Sequence, residues 1–464
     1  MNTPGFVFAH RPREASRAAA SRTLRWRLRP ADRAALGIWL ASRAVLLIVS
    51  LYSKYLTPSG SSSSWLGLWQ HWDWYRYLTI AEYGYTSGKG PAYDSNITAF
   101  FPGFPLVLRA VHMVVRDWAA AGLLVSLVAG GVAVVALARL AQFEYESGHP
   151  GADPDSGGKA ARTAVLLLVC APAAVFLAAG YTESLFLAFA IPGWLAARRG
   201  HWVGAGVLVA LACTVRINGL FVAAGVFIMF LMSRPGRRDW SRSPALLLPL
   251  AAAGGYMAYL KDVTGDWLAW LHAEQQGWGR RLTDPITAWR TSWDSAFGSV
   301  PGGGSGFHFF VRGRTRAIPP GTRPGGSSPP GRPGAPIRSG GLGARGQPVK
   351  FAGGPHGLAG IGPFDQWEFK LELLAAVVGV ALVGWLAWRR RWAELVYVGL
   401  SVFALVTSTV YMSIPREMLL WWPLWIGLAV WMARRRWAKV AYVAVSGSLM
   451  IGMALLFFSG QWAG

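Results

Sequence analysis

Apolar residues in this chain come in long blocks rather than in strand-like alternation. Blocks of roughly 20 mostly apolar residues, the length of a helical membrane span, begin near Ala34, Trp118, Arg162, Glu183, Trp202, Leu220, Ser243, Phe369, Trp392, Glu417 and Trp437. Another apolar stretch, Phe100 to Val115, is shorter and is broken by Pro102, Pro105, Arg109 and His112. It reads as a half-helix or re-entrant piece, a form tolerated in a bilayer only against protein or a wet cavity. The pattern predicts an all-α polytopic membrane protein with about 11 spans.

Basic clusters test that parity. They are the N-terminal tail, Arg198–Arg199, Arg234 to Arg242, Arg389 to Arg391 and Arg434 to Arg436. All five fall on one side if one full span and one re-entrant piece lie between Leu56 and Glu144. By the positive-inside rule that side is the cytoplasm, which places the N-terminus inside and the C-terminus outside. The expected organisation is a basic cytoplasmic tail (1–33), an N-terminal transmembrane module (34–300) with an outer loop at 56–99, a low-complexity loop (301–362), and C-terminal helices (363–464). Five segments then face outward: Leu56 to Ala99, Tyr181 to Ser184, Arg216 to Gly219, Lys261 to Gln366 and Ser413 to Glu417. They hold many of the polar residues that topology does not explain. The stretch Pro301 to Gly362 is dense in Gly, Pro and Arg and lacks Asp and Glu, so it reads as a flexible loop without a site.

Composition narrows the class. Of 464 residues, 53% are hydrophobic and only 14% charged, too few charges to coat a water-soluble surface. The net charge of +23 sits in short Arg clusters between apolar blocks, which encodes orientation and excludes nucleic acid as the partner. Cys170 and Cys213 both lie inside apolar blocks and read as packing residues. The Arg-, Ala- and Gly-rich composition suggests a high-GC bacterium.

The outward segments carry the candidate chemistry. His71-Trp72-Asp73-Trp74-Tyr75-Arg76-Tyr77, continuing to Glu82, sets a carboxylate among aromatics just beyond the first span. Aromatic faces suit sugar rings, and a carboxylate there could take a proton from an acceptor hydroxyl. The alternative is an interfacial aromatic belt with a solvated Asp73. Glu183, in Tyr181-Thr182-Glu183-Ser184, needs a partner or a wet cavity; alternatively Thr182 caps a helix and Glu183 sits at its positive end. Arg216 and Arg416 lie on the side where topology asks for no Arg, and a phosphate is a natural partner for a planar guanidinium. The alternatives are snorkelling, or pairing of Arg416 with Glu417. Gly265-Asp266 to Arg280 reads as an amphipathic helix on the membrane. No metal-ligand spacing, phosphate-binding Gly loop or Ser-His-Asp arrangement occurs.

The ordered motifs His71-Trp72-Asp73-Trp74-Tyr75 to Tyr85, Ala99-Phe100-Phe101-Pro102-Gly103-Phe104-Pro105, Tyr181-Thr182-Glu183-Ser184-Leu185-Phe186, Arg216-Ile217-Asn218-Gly219, the Gly265 to Arg280 loop and Pro415-Arg416 to Trp422-Pro423-Leu424 resemble the PIG-V type mannosyltransferases of the GT-C superfamily. Family members often carry Arg-Pro-x-Gly where this chain has Arg216-Ile217-Asn218-Gly219. The resemblance implies a GT-C bundle with a non-cytoplasmic active site in the cell membrane, a polyprenyl-phosphate mannose donor, inversion at the anomeric carbon, and neither metal nor cofactor. It implies Asp73 as catalytic base, with Glu82 and Glu183 as acceptor or sugar contacts. His71, Trp72 and Trp74 complete the expected substrate site, and Arg216 and Arg416 are expected at the donor phosphate. The acceptor would be a glycolipid, glycan or protein. The rival readings are a lipid or glycan transporter or flippase, for which no inverted repeat is evident, and a non-catalytic accessory subunit.

Overall fold

The structure, a computed structural model, describes residues 28–56, 64–94, 96–151, 153–298, 363–433 and 435–461. The low-complexity loop, all but the end of the basic tail, and Arg434 lie outside them. The described helices are α1 (Pro30–Leu56), α2 (Asp73–Tyr83), α3 (Gly103–His112), α4 (Trp118–Gly148), α5 (Pro154–Val169), α6 (Thr182–Arg198), α7 (Trp202–Val215), α8 (Asn218–Met232), α9 (Leu248–Thr264), α10 (Ala269–Trp278), α11 (Pro285–Phe297), α12 (Pro363–Trp388), α13 (Trp392–Val406), α14 (Ile414–Met418), α15 (Trp422–Met432) and α16 (Arg436–Phe458). Five of these segments are long and apolar enough to cross a membrane: Pro30–Tyr55, Trp118–Gly148, Ser243–Thr264, Gln366–Trp388 and Arg436–Phe458. Four more, Trp202–Val215, Asn218–Met232, Trp392–Val406 and Trp422–Met432, are apolar but shorter. The chain is an all-α polytopic membrane protein, and each apolar block of the sequence has its helix.

Two blocks are broken. The one expected from Arg162 holds helix only to Val169, ahead of Pro172, and continues as irregular chain through a 3-10 turn at Ala174–Leu177. Ala171 and the residues from Ala173 to Ala179 are buried, so this backbone must find partners inside the protein. Serine hydroxyls supply them: Ser446 donates to the Cys170 carbonyl, Ser126 to that of Ala179 and Ser184 to that of Leu177. The block expected from Glu417 splits into the short α14 and α15, with Pro423 in the first turn of α15. The Phe100 to Val115 piece is the ten-residue α3.

Packing relies on small residues, as it must between helices that gain nothing from leaving lipid. A Cβ on Gly130 of α4 would lie 2.1 Å from the Trp39 ring of α1, whose indole N–H reaches the Leu127 carbonyl. The segments on either side of the low-complexity loop belong to one compact unit, residues 1–298 with 364–464. Buried carboxylates meet part of the basic charge. Glu144 of α4 pairs with Arg198 (3.0 Å) from the end of α6 and Arg391 (2.7 Å) ahead of α13, and Asp32 pairs with Arg139 (2.7 Å). Two of the five basic clusters, at Arg198 and Arg391, are thus tied together by the shared Glu144 carboxylate.

Candidate active site

The turns expected on the opposite side converge on a cavity of about 620 Å³. Asp73 opens α2 and Arg416 lies in α14. Each helix starts from a non-glycine residue with left-handed φ, Trp72 at 43° and Ser413 at 64°. Such backbone costs on the order of 1–3 kcal/mol and persists only where the surroundings enforce it. At Ser413 the enforcing group is Glu372 of α12. Its two carboxylate oxygens accept the Ser413 and Ile414 N–H groups at 2.6 and 2.8 Å. At Trp72 the neighbouring His71 carbonyl accepts the Tyr181 hydroxyl (2.5 Å).

The charged residues form one chain of contacts. Arg416 donates through Nη1 to Asp73 Oδ2 (2.7 Å) and through Nε to Glu183 Oε1. Its guanidinium also lies 4.8 Å from the Phe176 and Tyr181 ring centroids. The same Glu183 oxygen accepts Arg216 Nη1 (2.8 Å), which also reaches Thr182 Oγ1 (2.7 Å). Arg216 Nη2 pairs with Glu417 Oε1, and Asn218 donates to Glu417 Oε2 (3.0 Å). Three carboxylates and two guanidiniums are therefore linked, with Glu183 fully buried at the centre. Burial at this scale is tolerated because each ion has a partner of opposite sign.

This geometry decides between the alternatives left open by the sequence. Glu183 has two cation partners and also sits in the first turn of α6, as the alternative held; the capping residue is Tyr181 and not Thr182, with no side-chain cap bond. Asp73 is a paired, buried carboxylate rather than a solvated one. Glu417 pairs with Arg216 and not with its neighbour Arg416.

Of the expected site residues, Asp73, Arg216 and Arg416 line the cavity and Glu183 ties them together. The other four do not line it. The His71 and Trp72 rings pack on Phe457 of α16 at 5.3 and 5.4 Å. Trp74 is core: its ring fills the close approach of Gly122 and Gly180, where an added Cβ would come within 2.5 Å of it. Glu82 is exposed on the outer side of α2.

The aromatic wall comes instead from residues without a sequence assignment. Trp270 and Trp278 of α10 face the cavity with Glu274 between them, and Tyr77 and Phe100 complete the wall. The spacing of 270, 274 and 278 is that of one helix face, a readable signal in the segment expected to be an amphipathic helix. Burial raises the Glu274 carboxyl above the ordinary glutamate range, and Arg280 offsets only part of that effect. Arg280 lies 3.7 Å from Glu274. Among the described residues, no group of three or more His, Cys, Asp or Glu is arranged to hold a metal ion.

Residues 44–235 match the sequence profile of the family described as "Mannosyltransferase (PIG-V)". Over this stretch the chain is similar to the PIG-V family. Mouse GPI alpha-1,6-mannosyltransferase 2 is 39% identical over 176 residues, which cover 36% of this chain and 33% of the mouse protein. The human protein of that name is 33% identical over 209 residues, covering 41% of this chain and 38% of its own length. The GPI mannosyltransferase 2 of Yarrowia lipolytica is 31% identical over 99 residues, covering 21% of this chain and 28% of its own. The chain thus spans about a third of the length of the curated relatives it matches. The PIG-V stretch carries Asp73, Glu183 and Arg216. Arg416, Glu417, Glu274 and Arg280 lie beyond it.

Proposed function

We propose that this chain is a membrane mannosyltransferase with a GT-C type bundle, transferring mannose from a polyprenyl-phosphate donor to an acceptor hydroxyl on the non-cytoplasmic side. The observation that carries the reading is Asp73 on the cavity wall, held by one oxygen to Arg416 and facing an aromatic wall wide enough for a sugar ring. The names of the partial relatives and the family match over residues 44–235 support the same chemistry. Two basic clusters meet on Glu144 at the end of α6 away from Glu183, which favours a non-cytoplasmic site.

In this mechanism Oδ2 of Asp73 stays with Arg416, and Oδ1 takes the acceptor O–H proton. The freed oxygen attacks the anomeric carbon from the face opposite the phosphate. A new glycosidic C–O bond forms as the C–O bond to phosphate breaks, the phosphate keeping the electron pair, so the anomeric centre inverts. General base assistance of this kind contributes about 10²–10⁴-fold. Binding by Trp270 and Trp278 would present the apolar face of the sugar.

The test uses the purified full chain in nanodiscs with radiolabelled polyprenyl-phosphate mannose and candidate acceptor lipids. The wild type should form labelled product, and Asp73→Asn should lose transfer by about 10²-fold or more while retaining its melting behaviour. Normal transfer by Asp73→Asn would remove that residue from the mechanism.

A further inference from the structure

The two arginines expected at the donor phosphate, Arg216 and Arg416, are already committed to carboxylates. Arg416 has Asp73, Glu183 and two aromatic rings, and Arg216 has Glu183, Glu417 and Thr182. Binding a phosphate there would break pairs that hold Asp73 and Glu183 in place, and would bring the anionic phosphodiester against three carboxylates. The opposite wall differs. Arg280 has only a long contact with the Met412 carbonyl (3.5 Å) and a loose approach to Glu274 (3.7 Å), so most of its five donors are uncommitted. Arg281, next to it on the cavity rim, is exposed, and no ion pair engages it among the described residues.

The backbone that carries both is fixed. Thr283 N–H donates to the Thr407 carbonyl (2.7 Å), Leu282 and Ser408 form a β-bridge, and Thr409 donates to the Arg281 carbonyl (3.3 Å). Beside them the cavity wall becomes apolar: Leu282, Leu400 and Phe403 line it and are exposed. A guanidinium pair on a hydrogen-bonded segment, with an exposed apolar flank on α13, matches an amphiphile with a phosphate head and a hydrocarbon tail.

We propose that Arg280, assisted by Arg281, binds the phosphate of the lipid-linked donor, while Arg216 and Arg416 are positioning residues that orient the carboxylates. This rests on the transfer reading above and names the residues that would grip its donor. With the tail on α13 and the phosphate on Arg280, the sugar enters the cavity toward Asp73 and Trp278. The leaving group would depart against Arg280, whose carboxylate neighbour Glu274 stands 3.7 Å away.

The experiment has two arms on the full chain in nanodiscs. In the first, Arg280→Ala raises the donor KM roughly tenfold to a hundredfold with a smaller change in kcat, Arg280→Lys recovers part of it, and Arg281→Ala has a lesser effect in the same direction. An unchanged KM in a folded Arg280→Ala overturns the assignment while leaving the transfer reading intact. The second arm needs no turnover. Polyprenyl monophosphate binding, read by Trp fluorescence, should weaken by the same factor in Arg280→Ala, and phosphatidic acid should not displace it. Equal binding by wild type and Arg280→Ala, or displacement by phosphatidic acid at equal concentration, overturns the donor site. Failure of the wild type to transfer mannose, with Arg280-dependent polyprenyl monophosphate binding retained, removes the transfer reading instead.

Discussion

Glu183 is the residue on which the charged chain depends most, and Glu183→Gln perturbs it with almost no change in shape. A single oxygen of Glu183 receives both Arg216 and Arg416. Two guanidiniums that share one acceptor atom stand within about 5 Å of each other, where like charges repel by about 3 kcal/mol at an effective dielectric constant near 20. The intervening carboxylate masks that repulsion; a neutral amide does not. Removing one partner of a buried ion pair costs about 3–5 kcal/mol by general experience, in line with the Coulomb figure. That is a large share of a total stability of about 5–15 kcal/mol. Asp73→Asn is the internal control. Its side chain is 12% exposed, and Arg416 still has Glu183, so a loss of about 1 kcal/mol is expected. Thermal unfolding in detergent, followed by Trp fluorescence, should show Glu183→Gln melting several degrees below both wild type and Asp73→Asn. Transfer should rank differently, with Asp73→Asn inactive despite its near-normal melting. Should Glu183→Gln melt together with wild type, the shared-acceptor account of the site is wrong.

Two further outcomes follow from packing and from titration. Gly122→Ala places a methyl group 2.5 Å from the Trp74 ring and, with Gly180 behind it, leaves that ring no room to move; overpacking of this kind costs about 1–3 kcal/mol. Because Trp74 follows Asp73 in α2, transfer should fall together with the melting midpoint, and an unaffected protein would show that the ring has another place to go. For Glu274, the carboxyl is raised above its ordinary value by burial, so the folded state holds the proton more tightly than the unfolded chain. Its share of stability is present below the unfolded value and is lost as pH rises through the folded one. Glu274→Gln should therefore melt above wild type at pH 7 to 8, with the gap closing toward pH 4; a variant less stable at neutral pH would mean that the Arg280 contact outweighs burial.

The helices were legible in the sequence because a bilayer allows so few alternatives. Every backbone group must be satisfied, so each apolar block had to become a helix. The exceptions are where other groups satisfy the backbone, as Ser126, Ser184 and Ser446 do around Ala171 to Ala179. The charged turns that meet at the cavity were legible too, since their charges had no topological reason to exist. Their pairing was not. Arg416 and Glu417 are sequence neighbours, which made them an obvious pair. Adjacent residues on a helix point in different directions, so Arg416 turns to Asp73 and Glu183 while Glu417 meets Arg216. Trp72 and Trp74 looked like sugar-stacking rings for a related reason. Composition reveals an aromatic cluster, but only the tertiary fold shows that Trp74 is seated against two glycines and Trp72 against Phe457.

The placement of the charges also bears on where the activity is encoded. The PIG-V stretch, residues 44–235, holds Asp73, Glu183 and Arg216, two carboxylates and one guanidinium. The second guanidinium, Arg416, comes from a five-residue helix whose first turn is held by Glu372. Both residues lie outside that stretch, yet Arg416 is the only described residue that ion-pairs with Asp73. Without it Asp73 would be a buried carboxylate with no ion-pair partner among the described residues, a costly state. On the proposed mechanism, the PIG-V-like stretch alone therefore does not hold the whole charged site. The proposed mechanism equally needs the C-terminal helices, which bring the Arg416 guanidinium to Asp73.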